Sequence, residues 1–140
     1  MARRVLVDSG PLVALLDRRD THHAWVQREL AKLQEPLLTC EAVLSEVFFL
    51  LSRIRSGTSL FVAVLRNRLV STSSSFSYFE ESAEVLRHLE RYASVPMSFA
   101  DACLVRMSEI EDDSIIFTTD RDFLTYRRHR RQPIPLISPF

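Results

Sequence analysis

Val5-Leu6-Val7-Asp8-Ser9-Gly10-Pro11-Leu12 decides how this chain is read. Three apolar residues, the core of a short buried strand, stop at an aspartate. The Ser-Gly-Pro that follows restarts the chain as a helix, since proline suits a first turn. The same figure returns near the other end, where Ile115-Ile116-Phe117-Thr118-Thr119 breaks at Asp120. Two apolar strands that each close on an acidic residue point to a parallel sheet with its ligand-facing edge at the strand ends.

Working outward, strands and helices alternate. Strands are expected at Arg4–Asp8, Pro36–Cys40, Val70–Tyr78, Ser114–Thr118 and Ile134–Ile137. Pro135 lacks a ladder donor, which places the last strand at a sheet edge. Helices are expected at Pro11–Asp17, His22–Gln34, Glu41–Arg55, Thr58–Leu69, Glu80–Ala93 and Ser98–Glu109, with a short one at Arg121–Arg127. Within the third of these, Val43, Val47, Leu50, Leu51 and Ile54 form a helical apolar stripe, and Ser56-Gly57 reads as its C-terminal cap. No composition break or repeat divides the chain, so residues 1–140 are expected to form one α/β domain. Its parallel sheet of four to five strands is flanked by helices in three layers.

Four carboxylates stand where apolar runs break: Asp8, Glu46, Asp101 and Asp120. Each has an ordinary role open to it. Asp8 and Asp120 suit N-caps, Ser98-Phe99-Ala100-Asp101 matches a capping box, and Glu46 could pair with Arg53 or Arg55. Yet Glu46 lies in the most apolar helix of the chain, where an ionised group needs a partner. Carboxylates gathered by a fold repel one another unless a cation sits among them. Oxygen ligands alone suit Mg2+ or Mn2+ better than Zn2+, and no Cys-x-x-Cys or His-x-x-x-His spacing argues for zinc. The leading reading is a metal-dependent phosphoester hydrolase.

Composition narrows the partners. Hydrophobic residues at 46% and charged residues at 26% fit an ordinary water-soluble domain. No apolar run approaches the roughly 18–20 residues that span a bilayer. The basic start Met1-Ala2-Arg3-Arg4-Val5 is cut short by Asp8, too early for a signal peptide, so a cytoplasmic location and no membrane partner are expected. Cys40 and Cys103 read as small core residues, and His22-His23 as solvated. The net charge is zero, but Lys32 is the only lysine, and arginines cluster at Arg53/Arg55, Arg66/Arg68 and Arg127-Arg128-His129-Arg130-Arg131. Arginine forks onto phosphates and stacks on bases, so Arg127, Arg128, Arg130 and Arg131 are candidates for nucleic-acid binding, solvated surface being the alternative.

The motifs Val5–Leu12, Leu44-Ser45-Glu46-Val47, Val95–Ala102 and Phe117–Phe123 together resemble the PIN-domain family, and within it the toxin-type ribonucleases of VapBC toxin–antitoxin systems. The resemblance spans nearly the whole chain. It implies a PIN-like fold, Mg2+ or Mn2+ as cofactor and hydrolysis of RNA phosphodiesters. It carries catalytic and metal-ligand roles onto Asp8, Glu46, Asp101 and Asp120, with Thr118 and Asp122 as outer members. It further implies a cognate antitoxin and a homodimer, for which Phe48–Leu51 and Leu60–Leu65 offer apolar faces if they are not core. Arg106 and Glu109 stand where relatives often carry small residues, and the arginine-rich tail is unusual.

Four other classes compete with this reading. An aspartyl phosphatase wants a second acid two residues after the first and a lysine for the phosphate. Position 10 is Gly10 and Lys32 lies early in the chain, which counts against it and against a phospho-receiver domain alike. A non-catalytic nucleic-acid-binding module would show erosion of the acidic set, which is complete. An RNA-processing nuclease without a toxin role stays open, and a neighbouring antitoxin gene would discriminate.

Overall fold

The computed structural model describes residues 3–34 and 36–140. Met1 and Ala2 of the basic N-terminal stretch, and Glu35, lie outside the described residues. In chain order the strands are β1 (Arg4–Val7), β2 (Leu37–Thr39), β3 (Val70–Thr72), β4 (Ser114–Phe117), β5 (Arg127–Arg128), β6 (Gln132–Pro133) and β7 (Leu136–Ile137). The helices are α1 (Ser9–Leu16), α2 (His23–Ala31), α3 (Glu41–Leu51), α4 (Gly57–Arg66), α5 (Tyr78–Arg91) and α6 (Phe99–Ile110), with a 3-10 turn at Arg121–Leu124. Among the described residues no helix is long and apolar enough to cross a membrane.

Five strands form one parallel sheet in the order β3-β2-β1-β4-β7, as the alternating pattern implies. Leu6, Val7, Ile116 and Phe117 are fully buried in the two central strands, whose register pairs Leu6 with Ile116 and Val7 with Phe117. Truncating such a residue to alanine costs about 2–5 kcal/mol. β7 lies at the edge, where Pro135 accepts from Ile116 N–H through its carbonyl and owes no donor. Helix α6 packs on β1 and β4 and supports α3 and α5, while α1 joins α2 to α3.

The chain leaves β1 towards β2 on one side, and β4 adds on the other. The gap between β1 and β4 is therefore the topological switch point, where parallel sheets open a crevice at the carboxyl ends of their strands. The ladder runs right up to it: Asp8 N–H donates to the Phe117 carbonyl at 3.0 Å, and Thr118 N–H to that of Ile137 at 3.0 Å. Thr39 Oγ1 closes the neighbouring edge on the Val7 carbonyl at 2.9 Å.

Three expectations are corrected. Gly57 does not cap α3, which ends at Leu51; it opens α4. The left-handed residue of that corner is Ser56, with φ of 61°. Glycine is needed for space, since a Cβ on Gly57 would meet the Leu51 carbonyl oxygen at 1.8 Å. The serine-rich stretch forms a strand only over Val70–Thr72, after which Ser73 and Ser75 bond to each other and build a turn. Beyond the 3-10 turn there is no helix to Arg127: the arginine-rich segment folds back as the antiparallel hairpin β5–β6.

Candidate metal centre

Each aspartate of the switch point is placed by the cap of its own element. Asp8 is the N-cap of α1, and its Oδ1 accepts from Ser9 N–H at 2.8 Å. Its Oδ2 accepts from Thr118 Oγ1 at 2.7 Å, and the same buried hydroxyl accepts from Asp120 N–H at 3.0 Å. Thr118 therefore sets both strand-end aspartates at once. Asp120 caps the 3-10 turn, accepting from Asp122 N–H at 2.9 Å. Ser98 Oγ caps α6 by accepting from Asp101 N–H at 3.0 Å. That leaves the Asp101 carboxylate free to face the crevice, where Tyr126 O–H donates to it at 2.8 Å.

Asp8, Asp101 and Asp120 each present an oxygen, all within 4.8 Å of one another. Glu46 stands outside that trio. Half-buried on α3, its Oε2 accepts from Ser9 Oγ at 3.1 Å, and no ion pair with Arg53 or Arg55 forms among the described residues. All four acids line one cleft of about 300 Å3 with Ser98, Thr119 and Asp122. Gly10 is what lets α1 lie against the loop after β4, because a Cβ there would meet Thr119 Oγ1 at 2.2 Å.

The electrostatics show the cost of gathering these groups. Burial first, and then the charge of Asp101, push the Asp8 carboxyl up to about 7, against the hydrogen bonds from Thr118 and Ser9. Burial likewise raises Asp101; Tyr126 opposes it and Asp120 adds to it. Burial and the Asp101 carboxylate hold the Tyr126 phenol well above its ordinary range, so it stays a donor. A donor set made of carboxylate oxygens, with no thiol or imidazole among them, fits a hard divalent cation whose charge offsets this repulsion.

Two contributors were not singled out in the sequence. Tyr126 is fully buried, and its ring is fixed by edge contacts to Tyr92 and Phe123, each at 5.1 Å between centroids. Only its position in an otherwise arginine-rich run marked it as core. Ser9 carried no signal beyond its place after Asp8.

The four arginines proposed for nucleic-acid binding differ in their surroundings. Arg127 turns its guanidinium onto the carbonyls of Leu124, Tyr126 and Thr125 at 2.8, 3.0 and 3.3 Å. Arg128 is buried and donates to the Ser108 carbonyl at 3.1 Å, in the last turn of α6 where a cation suits the helix dipole. Arg128 is thereby turned inward, whereas Arg127 is bonded through Nη1 alone. Arg130 and Arg131 are exposed, on a bend where His129 and Arg130 have φ of 50° and 72°. Ser108 lies about 10 Å along the helix axis from Asp101, so the Arg128 guanidinium sits away from the acidic cleft.

Arg106 and Glu109 have a structural use. Glu109 is bonded to His88 Nε2 at 2.8 Å, to Arg106 at 3.2 Å and to His129 N–H at 2.7 Å, and Arg106 reaches Glu81 at 2.6 Å. These bonds tie α5, α6 and the hairpin together.

No curated protein sequence matches the chain. Among solved structures it is similar to Mycobacterium tuberculosis VapC20, described as a Sarcin-Ricin loop cleaving toxin. The TM-score is 0.70 with 25% identity, over 84% of this chain and 91% of that one. It shares its fold with VapBC2 from Rickettsia felis, solved bound to a DNA fragment from their promoter. There the TM-score is 0.61 with 14% identity, over 96% and 97% of the two chains. The family model for the PIN domain matches residues 5–128, so that most of β1, the acidic cleft and the start of the hairpin fall inside it: the chain belongs to the PIN domain family.

Proposed function

We propose that this protein is a divalent-metal-dependent endoribonuclease that hydrolyses RNA phosphodiester bonds as the toxin of a toxin–antitoxin pair. The observation that carries the reading is the meeting of Asp8, Asp101 and Asp120 oxygens within 4.8 Å at the sheet's switch point. Mg2+ or Mn2+ would be held by these three, with Glu46 on the facing wall and Asp122 beyond. When bound, such an ion supplies a Lewis acid for a phosphoryl oxygen and lowers the pKa of water. The chain's own part is to keep the carboxylates aimed: Thr118 and Ser9 N–H hold Asp8, Tyr126 holds Asp101, and Ser9 Oγ holds Glu46. Glu46 lines the cleft outside the trio, and to it this reading gives the role of accepting a proton from the attacking water.

The likeness to VapC20 supports an RNA substrate and a toxin role, and the Rickettsia felis pair supports a cognate antitoxin as partner. Phe48, Phe49, Leu50 and Val62 are exposed and offer an apolar face for a homodimer, whereas Leu51 is core. A cytoplasmic location goes with this reading. Purified protein should cut single-stranded RNA with Mg2+ or Mn2+ and stop on addition of EDTA. Equal cutting by wild type and Asp8→Asn, prepared side by side, would refute the catalytic assignment and leave a nucleic-acid-binding module.

A further inference from the structure

A cleft of about 640 Å3 opens beside the acidic one and shares Glu46 with it. Phe76, Tyr78 and Phe99 border it, and both cysteines of the chain line it. Cys40 is the N-cap residue of α3 and Cys103 lies in the second turn of α6, two helices that pack on each other. Both are free thiols and almost wholly buried, at 2% and 1% exposure, yet each reaches the same wall. Their side chains meet there, and Cys40 sits at the N-terminus of α3, where backbone N–H groups favour a thiolate.

Simple core filling accounts for burial but not for this pairing. An N-cap position favours Ser, Thr, Asp or Asn, and at α3 it is a thiol that faces the N–H groups of Ala42 and Val43. Core packing would also place two small apolar groups anywhere in the interior, whereas these two converge on the floor of an open cleft.

We propose that Cys40 and Cys103 form an oxidisable dithiol, a modification site for small hydroperoxides that closes to a disulfide between α3 and α6. Cys40 Sγ attacks the distal oxygen of the hydroperoxide, its O–O bond breaks, and the alcohol or water leaves, giving a sulfenic acid on Cys40. Cys103 Sγ then attacks that sulfur, the S–O bond breaks, and water leaves. Two thiols lose two hydrogens and the oxidant takes two electrons. The sulfurs must approach to about 2.05 Å, a movement that side-chain rotation and a small shift of the helices can share. The bond would staple the N-terminal ends of the two helices that carry Glu46 and Asp101.

The test treats the full-length protein with hydrogen peroxide, quenches it with an alkylating agent and measures intact mass and non-reduced peptides. A mass lower by two hydrogens, no alkylation, and a peptide linking Cys40 to Cys103 that dithiothreitol releases are the expected result. In Cys103→Ser, Cys40 should stop at a sulfenic acid that dimedone traps. If that variant does not fold, the wild-type peptide map decides alone. Recovery of both cysteines as alkylated thiols, or as separate sulfinic acids with no linked peptide, would overturn the proposal. The mass readout is independent of RNA cleavage, so it separates failure of the dithiol from failure of the ribonuclease reading.

Discussion

Asp8→Asn should leave the protein inactive and more stable. The Asp8 carboxyl stands at about 7 in the fold against an ordinary 3.8. Each pKa unit corresponds to about 1.4 kcal/mol, so keeping this group ionised at pH 8 costs the native state on the order of 4 kcal/mol. Asparagine removes that cost. It retains an oxygen for Ser9 N–H but gives up the acceptor that faces Thr118 Oγ1, a loss of about 1–2 kcal/mol. The net gain at pH 8 without divalent ions is about 2–3 kcal/mol. The sign follows from a folded pKa raised above the unfolded one. The wild type suffers no penalty below pH 4, loses stability as pH rises from about 4 to 7, and carries the full penalty above. Urea denaturation of both proteins in EDTA at pH 5, 6, 7 and 8 measures this directly. The advantage of Asp8→Asn should shrink almost to nothing by pH 5. A difference that does not change with pH, or a variant less stable at pH 8, would refute the electrostatic reasoning.

Tyr126→Phe keeps the ring packing but removes the donor to Asp101, so Mg2+ affinity measured by calorimetry should fall several-fold; unchanged affinity would show that the phenol does not position the ligand. Burial works to raise Glu109, yet bonds from His88, His129 N–H and Arg106 hold it down at about 2. Stability from this group is therefore present above its unfolded value of 4.5 and lost as pH falls towards 2. Glu109→Gln should cost on the order of 3 kcal/mol at pH 7, and much less at pH 3, in chemical denaturation. Arg130→Ala and Arg131→Ala should weaken RNA binding and lower its salt slope by about one for each phosphate the protein no longer neutralises. Arg128→Ala should instead lower the thermal midpoint, and a salt-slope change as large as that of Arg131→Ala would contradict its structural role.

The strands that build the site were legible because their apolar runs are continuous and end abruptly, and parallel strands buried on both faces leave just that trace. The acids were legible as a set, since each sits where a run breaks. What could not be read was which of them meet. Glu46 is carried by a helix whose rotation relative to the sheet no periodicity fixes, and it faces the cleft without joining the three aspartates. Tyr126 was hidden because its bond to Asp101 depends on the hairpin's path, which in turn depends on left-handed residues at His129 and Arg130. Neither residue type announces that conformation, and a chain of arginines reads as surface whether it is solvated or folded onto a helix end.

The capping geometry offsets part of what it costs to gather so many carboxylates in one crevice. Asp8 sits at the N-terminus of α1 and Asp101 in the first turn of α6, and each such end carries roughly half a positive elementary charge. Two helix ends and the N–H groups of Ser9 and Asp122 thus offset part of the repulsion among the three carboxylates. The offset is incomplete, as the position of Asp8 near 7 shows. A site balanced completely by its helices would have little electrostatic reason to bind a metal, and one without them would add more to the native state's cost than a domain of marginal stability could bear. The remaining imbalance is what a divalent ion would relieve, so the same helix ends that offset the carboxylate repulsion would also set how strongly a cation is taken up. Weakening one of them, by Ser98→Ala at the cap of α6, should therefore lower stability by about 1 kcal/mol. Because the Ser98 side chain bonds the Asp101 N–H and also favours its carboxylate, its loss leaves more repulsion for a cation to relieve, and Mg2+ should raise the midpoint of the variant by more than that of the wild type. An equal rise in the two proteins would mean that the cap acts on the backbone alone.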